Sequence, residues 1–243
     1  MKVAARFAEV VLFDKLLVML QEDLNLTAEI KLYYDLDVPE NAEKNAPLLL
    51  AVHGYGAHKR YMMREAKLVA PENFVIASIQ APNQHFRQTD KGFKIGFGWL
   101  TDYKAEESVA LHHDFALRII EKLAAEQIID AEKVFLYGFS QACALNFRFA
   151  FTHPEKMRGV VGICGGIPGD LETNPIYKPT NADVFYLYND NDEFYPLAKY
   201  EGFERKLRDF LPNYESKLYQ SKHEIIQPMR GDIKTWLAAR SAE

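Results

Sequence analysis

The sequence has 243 residues, of which 48% are hydrophobic and 26% charged, and its formal net charge is −5 at pH 7. This length and composition are typical of a globular protein with a sizeable core and argue against gross disorder. The acidic balance and the absence of a Lys/Arg-rich block argue against a nucleic-acid partner.

The apolar segments are too short or too interrupted for membrane insertion. Charged residues break the apolar run within residues 1–20, so it has no continuous signal-peptide core. The longest uncharged run, residues 134–147, is shorter than a bilayer-spanning helix. Cys143 and Cys164 lie in apolar surroundings, which is typical of buried free thiols in a reducing compartment. We therefore predict a soluble, cytoplasmic protein without stable membrane insertion.

The first predicted elements are two β-strands near the N-terminus. Residues 16–20 form a short apolar run, and residues 29–38 alternate in polarity and include paired tyrosines. Pro39 and the polar residues after it end the second run. We predict that these strands give the sheet an antiparallel start.

Five short, wholly apolar runs follow, and each is stopped by glycine, proline or polar residues. Such runs are typical of strands that are buried on both faces of a parallel sheet. The runs lie at residues 48–52, 74–79, 134–137, 159–164 and 184–188.

Segments with helical spacing of apolar residues separate most of these strands, at residues 106–127, 141–152 and 195–211. Alternating strands and helices indicate right-handed crossovers and a doubly wound sheet. The intervals between the strands are too short for a separate cap. We predict a single α/β domain over residues 1–243, with a mostly parallel sheet and no large cap domain.

Residues that are suited to catalysis or ligand binding follow four of the five apolar runs. Ligands of doubly wound sheets bind beyond the carboxyl ends of the strands, so these positions are expected to surround the site. They are His53, Ser140, the Gly165–Gly166 turn and the segment Asn189–Asp192.

Ser140 lies in a G-x-S-x-A motif between a predicted strand and a predicted helix. This context is that of a nucleophile elbow, in which the serine is exposed at a sharp turn. The residues two before and two after the serine must be small. Gly138 meets that demand fully, whereas Ala142 adds one methyl group and favours the helix.

A serine nucleophile needs a base to take its proton and an acid to orient the base. In folds with this elbow the chain order is serine, acid, histidine. Two histidines follow Ser140. His153 precedes a proline at a helix end and is expected to cap the helix or face solvent. His223 precedes the last helix and is the predicted base.

The acid is expected in the loop after the fifth apolar run. The sequence offers three carboxylates there and does not choose between them: Asp190, Asp192 and Glu193.

The oxyanion of the tetrahedral intermediate requires backbone N–H donors. One predicted donor is the amide of Gln141, directly after the nucleophile. The second is the amide of Tyr55, in the loop where Gly54 and Gly56 permit a sharp turn.

Together these motifs resemble the small serine esterases of the α/β-hydrolase fold, the phospholipase/carboxylesterase group that includes the acyl-protein thioesterases. The resemblance rests on PLLLAVHGYGAH, GFGWL, IDAEKVFLYGFSQACAL, HPEKMRGVVGICGGIP, YLYNDNDEFYP and KHEI. It covers the chain from about residue 47 to the end and leaves the first 46 residues without a motif.

The resemblance implies that Ser140 is the nucleophile and His223 the base. The acid of this family lies four residues before a proline, which here selects Asp192 before Pro196 and makes Asp190 the second choice. Two departures concern the site: GFSQAC replaces GFSQGG, and Tyr-Asn replaces the usual His-Gly before the acid. The resemblance also implies that the amides of Tyr55 and Gln141 form the oxyanion hole.

The substrate pocket is expected to involve an aromatic, glycine-rich segment, residues 80–102, that lies over the site. Phe97, Trp99 and Met62 are the predicted substrate contacts. The cations in residues 58–64 are interpreted as a solvated face rather than an anion site.

The expected activity is hydrolysis of small or medium carboxylic esters, and of thioesters, through an acyl-enzyme. The expected partner is a small-molecule ester. No cofactor or metal is predicted, because the adjacent His112 and His113 lack metal-ligand spacing. A peptidase of the same fold and a non-catalytic ligand-binding homologue are the alternatives. The sequence leaves the oligomeric state open, with a homodimer as one option.

Overall fold

The computed structural model describes residues 22–40, 42 and 44–242, and the fold is that of these residues. The chain divides into two units, Met1–Lys31 and Leu32–Glu243, and every described helix and strand lies in the second. The strand predicted at residues 16–20 falls outside the described residues. The strand predicted at residues 29–38 is observed as a shorter element, Tyr34–Asp37.

Nine strands are described along the chain. They are β1 (Tyr34–Asp37), β2 (Ala46–Val52), β3 (Val75–Ile79), β4 (Asn83–Thr89), β5 (Gly92–Gly98), β6 (Ile129–Phe139), β7 (Gly159–Ile163), β8 (Asp183–Asn189) and β9 (Tyr214–Tyr219).

Seven of these strands form one twisted sheet in the order β1-β3-β2-β6-β7-β8-β9. Only β1 is antiparallel to its neighbour, and the other neighbouring strands run parallel. The sheet therefore confirms the prediction of a mostly parallel sheet with an antiparallel start. The five apolar runs correspond to β2, β3, β6, β7 and β8, whereas β9 was not predicted.

Five α-helices are described: α1 (Lys59–Val69), α2 (Ala105–Ala125), α3 (Gln141–Thr152), α4 (Leu197–Arg208) and α5 (Gln227–Ser241). The three predicted helical segments correspond to α2, α3 and α4, and α5 is the expected last helix. Helix α1 was not predicted. It begins after His58, whose ring nitrogen accepts a hydrogen bond from the N–H of Tyr61.

The sheet has a hydrophobic core on each face. Along β2, Leu48 and Leu50 pack into one core and Leu49 into the other, because successive side chains of a strand point to opposite faces. The first core receives side chains of α2, α3 and α4, and the second receives those of α1 and α5. Burial on both faces explains why these strands are wholly apolar in sequence.

The segment expected to lie over the site forms a two-stranded antiparallel hairpin of β4 and β5. The tight turn between the strands includes Gly92, whose φ of +97° suits glycine. The hairpin approaches the loop after β2 closely, since a Cβ on Gly96 would lie 3.1 Å from Cα of Gly56. The described chain contains no large cap domain, so this hairpin is the main element beside the strand ends.

Two further sequence predictions concern membrane-spanning helices and the cysteines. None of their helices is both long and apolar enough to cross a membrane. Cys143 and Cys164 are buried free thiols, as predicted.

Candidate active site

Ser140 stands at the sharp turn between β6 and α3. Its backbone has φ 58° and ψ −121°, a conformation that L-residues rarely adopt and that concentrates at functional sites. The turn is held from both sides, because the N–H of Ser140 donates to the carbonyl of Ile163 and its carbonyl accepts from Cys143. The strained backbone therefore has a surrounding structure that fixes it.

Small residues make this turn sterically feasible. A Cβ on Gly138 would lie 2.5 Å from Nδ2 of Asn146 and 3.2 Å from Cβ of Ala142, so that position requires glycine. A Cβ on Gly165 would lie 2.2 Å from the carbonyl oxygen of Ser140. Ala142 itself is completely buried, and its single methyl group fits against Gly138.

The structure brings together Ser140, His223 and Asp192, which are separated by up to 83 positions in sequence. Nε2 of His223 lies 2.9 Å from Oγ of Ser140. Nδ1 of His223 lies 2.8 Å from Oδ2 of Asp192. With the proton on Nδ1, the ring donates to the carboxylate, and Nε2 is left to accept the serine proton.

Asp192 is held as a carboxylate in a buried position. Its Oδ1 accepts the N–H groups of Phe194 and Tyr195, and its Oδ2 also accepts the hydroxyl of Tyr200 at 3.0 Å. Burial by itself would raise the pKa of Asp192, but the hydrogen bonds from His223, Tyr195 and Phe194 outweigh it and lower the pKa below its ordinary value.

The other two candidate acids make different contacts. Oδ1 of Asp190 accepts the N–H of Ser221 at 3.1 Å and a hydrogen bond from the side chain of Asn191, so it ties two loops together. Oε2 of Glu193 accepts the backbone N–H of His223 at 3.1 Å. Of the three carboxylates, Asp192 is the one placed against the imidazole ring.

Asn189 fixes the loop that carries His223. Asn189 is buried, and it stands at the position of the glycine in the His-Gly pair that usually precedes the acid. Its Nδ2 donates to the carbonyl of Glu224 at 3.0 Å and to the carbonyl of Lys222. Because these carbonyls flank His223 in sequence, one amide holds the backbone on both sides of the imidazole.

The loop after β2 is anchored by His53. Burial lowers the pKa of His53 to about 4, so its ring is neutral at pH 7. Nδ1 donates to the carbonyl of Gly54 at 2.8 Å, and Nε2 accepts the N–H of Ala81 at 3.1 Å. The indole N–H of Trp99 donates to the carbonyl of His53 at 2.8 Å.

This anchored loop lies directly against the elbow. A Cβ on Gly54 would be 3.2 Å from Cβ of Ser140, so Tyr55 follows at close range to the serine. Tyr55, Gln141 and Ser140 all line one cavity. The side chain of Gln141 accepts from the N–H of Trp99 and donates to the carbonyl of Leu100, which ties the start of α3 to the end of the hairpin.

The cavity has a volume of about 1040 Å³ and opens over Ser140 and His223. This volume is at the upper end of the range for small-molecule sites. Its lining residues come from the loop after β2, α1, the hairpin, the elbow with the start of α3, the acid loop, α4 and the loop of His223.

The three predicted substrate contacts are placed differently. Met62 lines the cavity, although only 1% of its surface is exposed. Trp99 is 2% exposed and lies in the core, where it supports His53 instead of lining the cavity. Phe97 is half-buried, packs against the core and lines a separate, smaller depression.

Several cavity residues were not anticipated from the sequence. Arg87 and Lys94 come from the hairpin, and Phe194, Tyr195 and Lys199 come from the acid loop and α4. For Arg87 and Lys94, the sequence did contain a signal for the hairpin. The segments HFRQT and GFKIG, joined through Asp-Lys-Gly, have a pattern that is typical of two strands connected by a tight turn.

The remaining histidines are not assembled into a metal site. His112 is buried against the Trp99 ring, with 5.0 Å between ring centroids, and His113 lies beside His153. His153 is the C-terminal capping residue of α3. Among the described residues, no group of three or more His, Cys, Asp or Glu side chains could hold a metal ion.

This combination of a doubly wound sheet and a serine elbow defines the α/β-hydrolase class. Residues 35–241 match the family described as Phospholipase/Carboxylesterase, and the chain belongs to that family.

A curated relative agrees with this membership. Acyl-protein thioesterase 1 of Saccharomyces cerevisiae is 30% identical over 134 residues, which cover 50% of this chain and 57% of that protein. The chain spans about half the length of the curated relatives it matches.

Solved structures share the fold. Esterase PE8 matches with a TM-score of 0.70 at 18% identity, covering 86% of this chain and 99% of that one. Acyl-protein thioesterase 2 of Zea mays matches with a TM-score of 0.64 at 16% identity and the same coverage.

Proposed function

We propose that this protein is a carboxylesterase that cleaves carboxylic esters, and also thioesters, through an acyl-enzyme on Ser140. The observation that carries the proposal is the chain of contacts from Oγ of Ser140 through His223 to Asp192. Membership of the phospholipase/carboxylesterase family supports the same reaction class.

In the proposed mechanism, Nε2 of His223 takes the proton of Ser140 as Oγ attacks the ester carbonyl. Asp192 keeps the ring in the required tautomer and stabilises the imidazolium that forms. The protonated His223 then donates to the leaving alcohol or thiol, and the acyl group remains on Ser140. A water molecule, activated by the same imidazole, releases the acid and restores the serine.

The negative charge on the carbonyl oxygen is stabilised by backbone amides. We assign this role to the N–H groups of Tyr55 and Gln141, which belong to the two loops that meet at Ser140. Donors that are already fixed need no reorganisation during the reaction, and losing one such donor costs roughly 100- to 1,000-fold in kcat. The His53 and Trp99 hydrogen bonds, and the Gln141 side-chain bonds, supply this fixation.

The test is a series of p-nitrophenyl esters of increasing acyl length, with Ser140→Ala as the matched control. We expect Ser140-dependent turnover that rises with acyl length until the cavity is filled. Equal turnover by wild type and Ser140→Ala would contradict the proposal. Aminoacyl-arylamide substrates test the peptidase alternative, and we expect no cleavage of them.

A further inference from the structure

The walls of the cavity differ from the rest of the molecule in charge. The whole chain is acidic, with a net charge of −5. Three of the residues that line the cavity are the cations Arg87, Lys94 and Lys199, and none of its described lining residues is Asp or Glu. The cavity is therefore a locally cationic region in an acidic protein.

Two of these cations face each other across the hairpin. Arg87 on β4 is in register with Lys94 on β5, so the two side chains emerge side by side on the same face. Like charges directly opposite in a sheet destabilise the pair. Neither side chain forms an ion pair with any described carboxylate, so no such contact offsets this repulsion.

Arg87 lies close to the loop that would stabilise the oxyanion. A Cβ on Gly56 would be 3.1 Å from Cδ and 3.4 Å from Nη1 of Arg87, so the guanidinium lies over the residue after Tyr55. An aromatic stack of Tyr55 on His85, with 4.5 Å between ring centroids, holds this face of the hairpin against the same loop. The cation pair thus lies on a wall of the same cavity that Ser140 and Tyr55 line.

We propose that Arg87 and Lys94 bind an anionic group carried by the ester substrate, so that the enzyme prefers esters of charged over uncharged molecules. This inference rests on the proposed esterase function and names its substrate class. A carboxylate or phosphate fits the guanidinium fork of Arg87, and the neighbouring ammonium of Lys94 adds a second donor. Binding of such a group would also relieve the repulsion between the two cations.

The test compares substrates that differ in one charge. On the acyl side, the p-nitrophenyl half-ester of adipic acid is compared with the p-nitrophenyl ester of heptanoic acid. On the alcohol side, the hexanoyl ester of p-hydroxybenzoate is compared with that of methyl p-hydroxybenzoate. The readout is the ratio of kcat/KM values, charged over uncharged, after subtraction of the rate with Ser140→Ala.

We expect one of the two ratios to exceed unity by about two- to fivefold, the range of an ion pair that is exposed to solvent. The side on which it does so tells whether the acid or the alcohol carries the anion. The preference should decline as ionic strength rises, because the cations are exposed. The double variant Arg87→Gln/Lys94→Gln should bring the ratio to near unity.

Lys91→Gln is the matched control, because Lys91 lies in the turn of the same hairpin but does not line the cavity. It should leave the ratio unchanged. Ratios near unity for both pairs, together with Ser140-dependent hydrolysis of the uncharged esters, would overturn the anion site alone. Absence of Ser140-dependent hydrolysis of every ester would instead overturn the proposed function.

Discussion

The cavity wall that carries Ser140 is backed by buried residues, whereas the wall formed by the β4–β5 hairpin is largely exposed. On the elbow side, a Cβ added at Gly138 or Gly165 would lie 2.5 Å or less from a neighbouring atom, and His223 is fixed by hydrogen bonds to Ser140 and Asp192. On the hairpin side, the cavity-lining residues Arg87 and Lys94 are exposed, and Ile95 is 47% exposed. The first wall can hold reacting groups within tenths of an ångström, and the second can change its side chains at little cost in stability.

This difference separates reaction chemistry from substrate choice. A proton transfer from Ser140 to His223 depends on fixed distances, so it needs close packing behind every participant. Recognition of a substrate needs only suitable charge and shape at the rim, which exposed side chains such as Arg87 provide. Substitutions on the two walls should therefore have different consequences.

The largest effect is expected from Asp192→Asn. The asparagine keeps the shape but favours the wrong tautomer of His223, so kcat should fall by about 10⁴-fold. The matched control is Asp190→Asn in the same loop, which should retain most of the activity because Asp190 does not contact the imidazole. Steady-state kinetics with a p-nitrophenyl ester measure both, and equal losses would show that the acid is misassigned.

The next largest effect is expected from Gly165→Ala, which tests the tight packing behind the elbow. The new methyl would lie 2.2 Å from Cβ of Cys143 and from the carbonyl of Ser140, so the backbone must shift. We expect the free energy of unfolding to fall by about 3 kcal/mol. Urea denaturation measures this loss. Gly169→Ala, where nothing lies within 4 Å, is the control and should change stability little.

A smaller effect on stability is expected when the pH is lowered, because His112 is a buried histidine. Burial lowers the pKa of His112 to about 3, and no described group hydrogen-bonds to its ring nitrogens. The unfolded chain binds a proton near pH 6.5, but the folded protein does not until far lower pH, so stability falls as the pH drops below about 6.5.

His112→Leu should therefore remove part of this pH dependence. Between pH 7 and pH 5 we expect the variant to lose about 2 kcal/mol less of its free energy of unfolding than the wild type. Urea denaturation at the two pH values gives the difference, and this difference cancels any constant packing defect of the variant. An unchanged pH slope would mean that His112 is not the group that takes up the proton.

The smallest effect is expected at Ala142. Ala142→Gly should leave esterase activity largely intact, because the alanine methyl group is merely accommodated beside Gly138. Ala142→Val should crowd the turn, cost about 1 kcal/mol and depress kcat. Parallel denaturation and kinetic measurements decide this, and a harmless valine would contradict the close packing of the elbow.

Much of the elbow wall could be predicted from the sequence, because its features depend on local constraints. Buried parallel strands require wholly apolar runs, and a sharp strand–helix turn requires small residues around Ser140. The order of serine, acid and histidine also limited the base to two histidines. The choice of Asp192 over Asp190 came from the family resemblance, and the contact with His223 agrees with that choice.

The remaining features of the site could not be predicted, because they depend on contacts between segments that are distant in sequence. The clamp of Asn189 on the carbonyls around His223 joins residues more than 30 positions apart. Trp99 was expected to contact the substrate. Instead, its indole N–H donates to the carbonyl of His53, and the ring is buried in the core. The cations of the hairpin meet only because β4 and β5 pair in one register.

The nucleophilicity of Ser140 is tested most directly by covalent labelling with a fluorophosphonate, followed by peptide mass mapping. A serine activated by His223 attacks phosphorus, whereas an ordinary serine hydroxyl does not. We predict one adduct per chain, located on Ser140, with labelling lost in His223→Ala and retained in Asp190→Asn. Folded wild-type protein that remains unlabelled, or that is labelled at another residue, would contradict it.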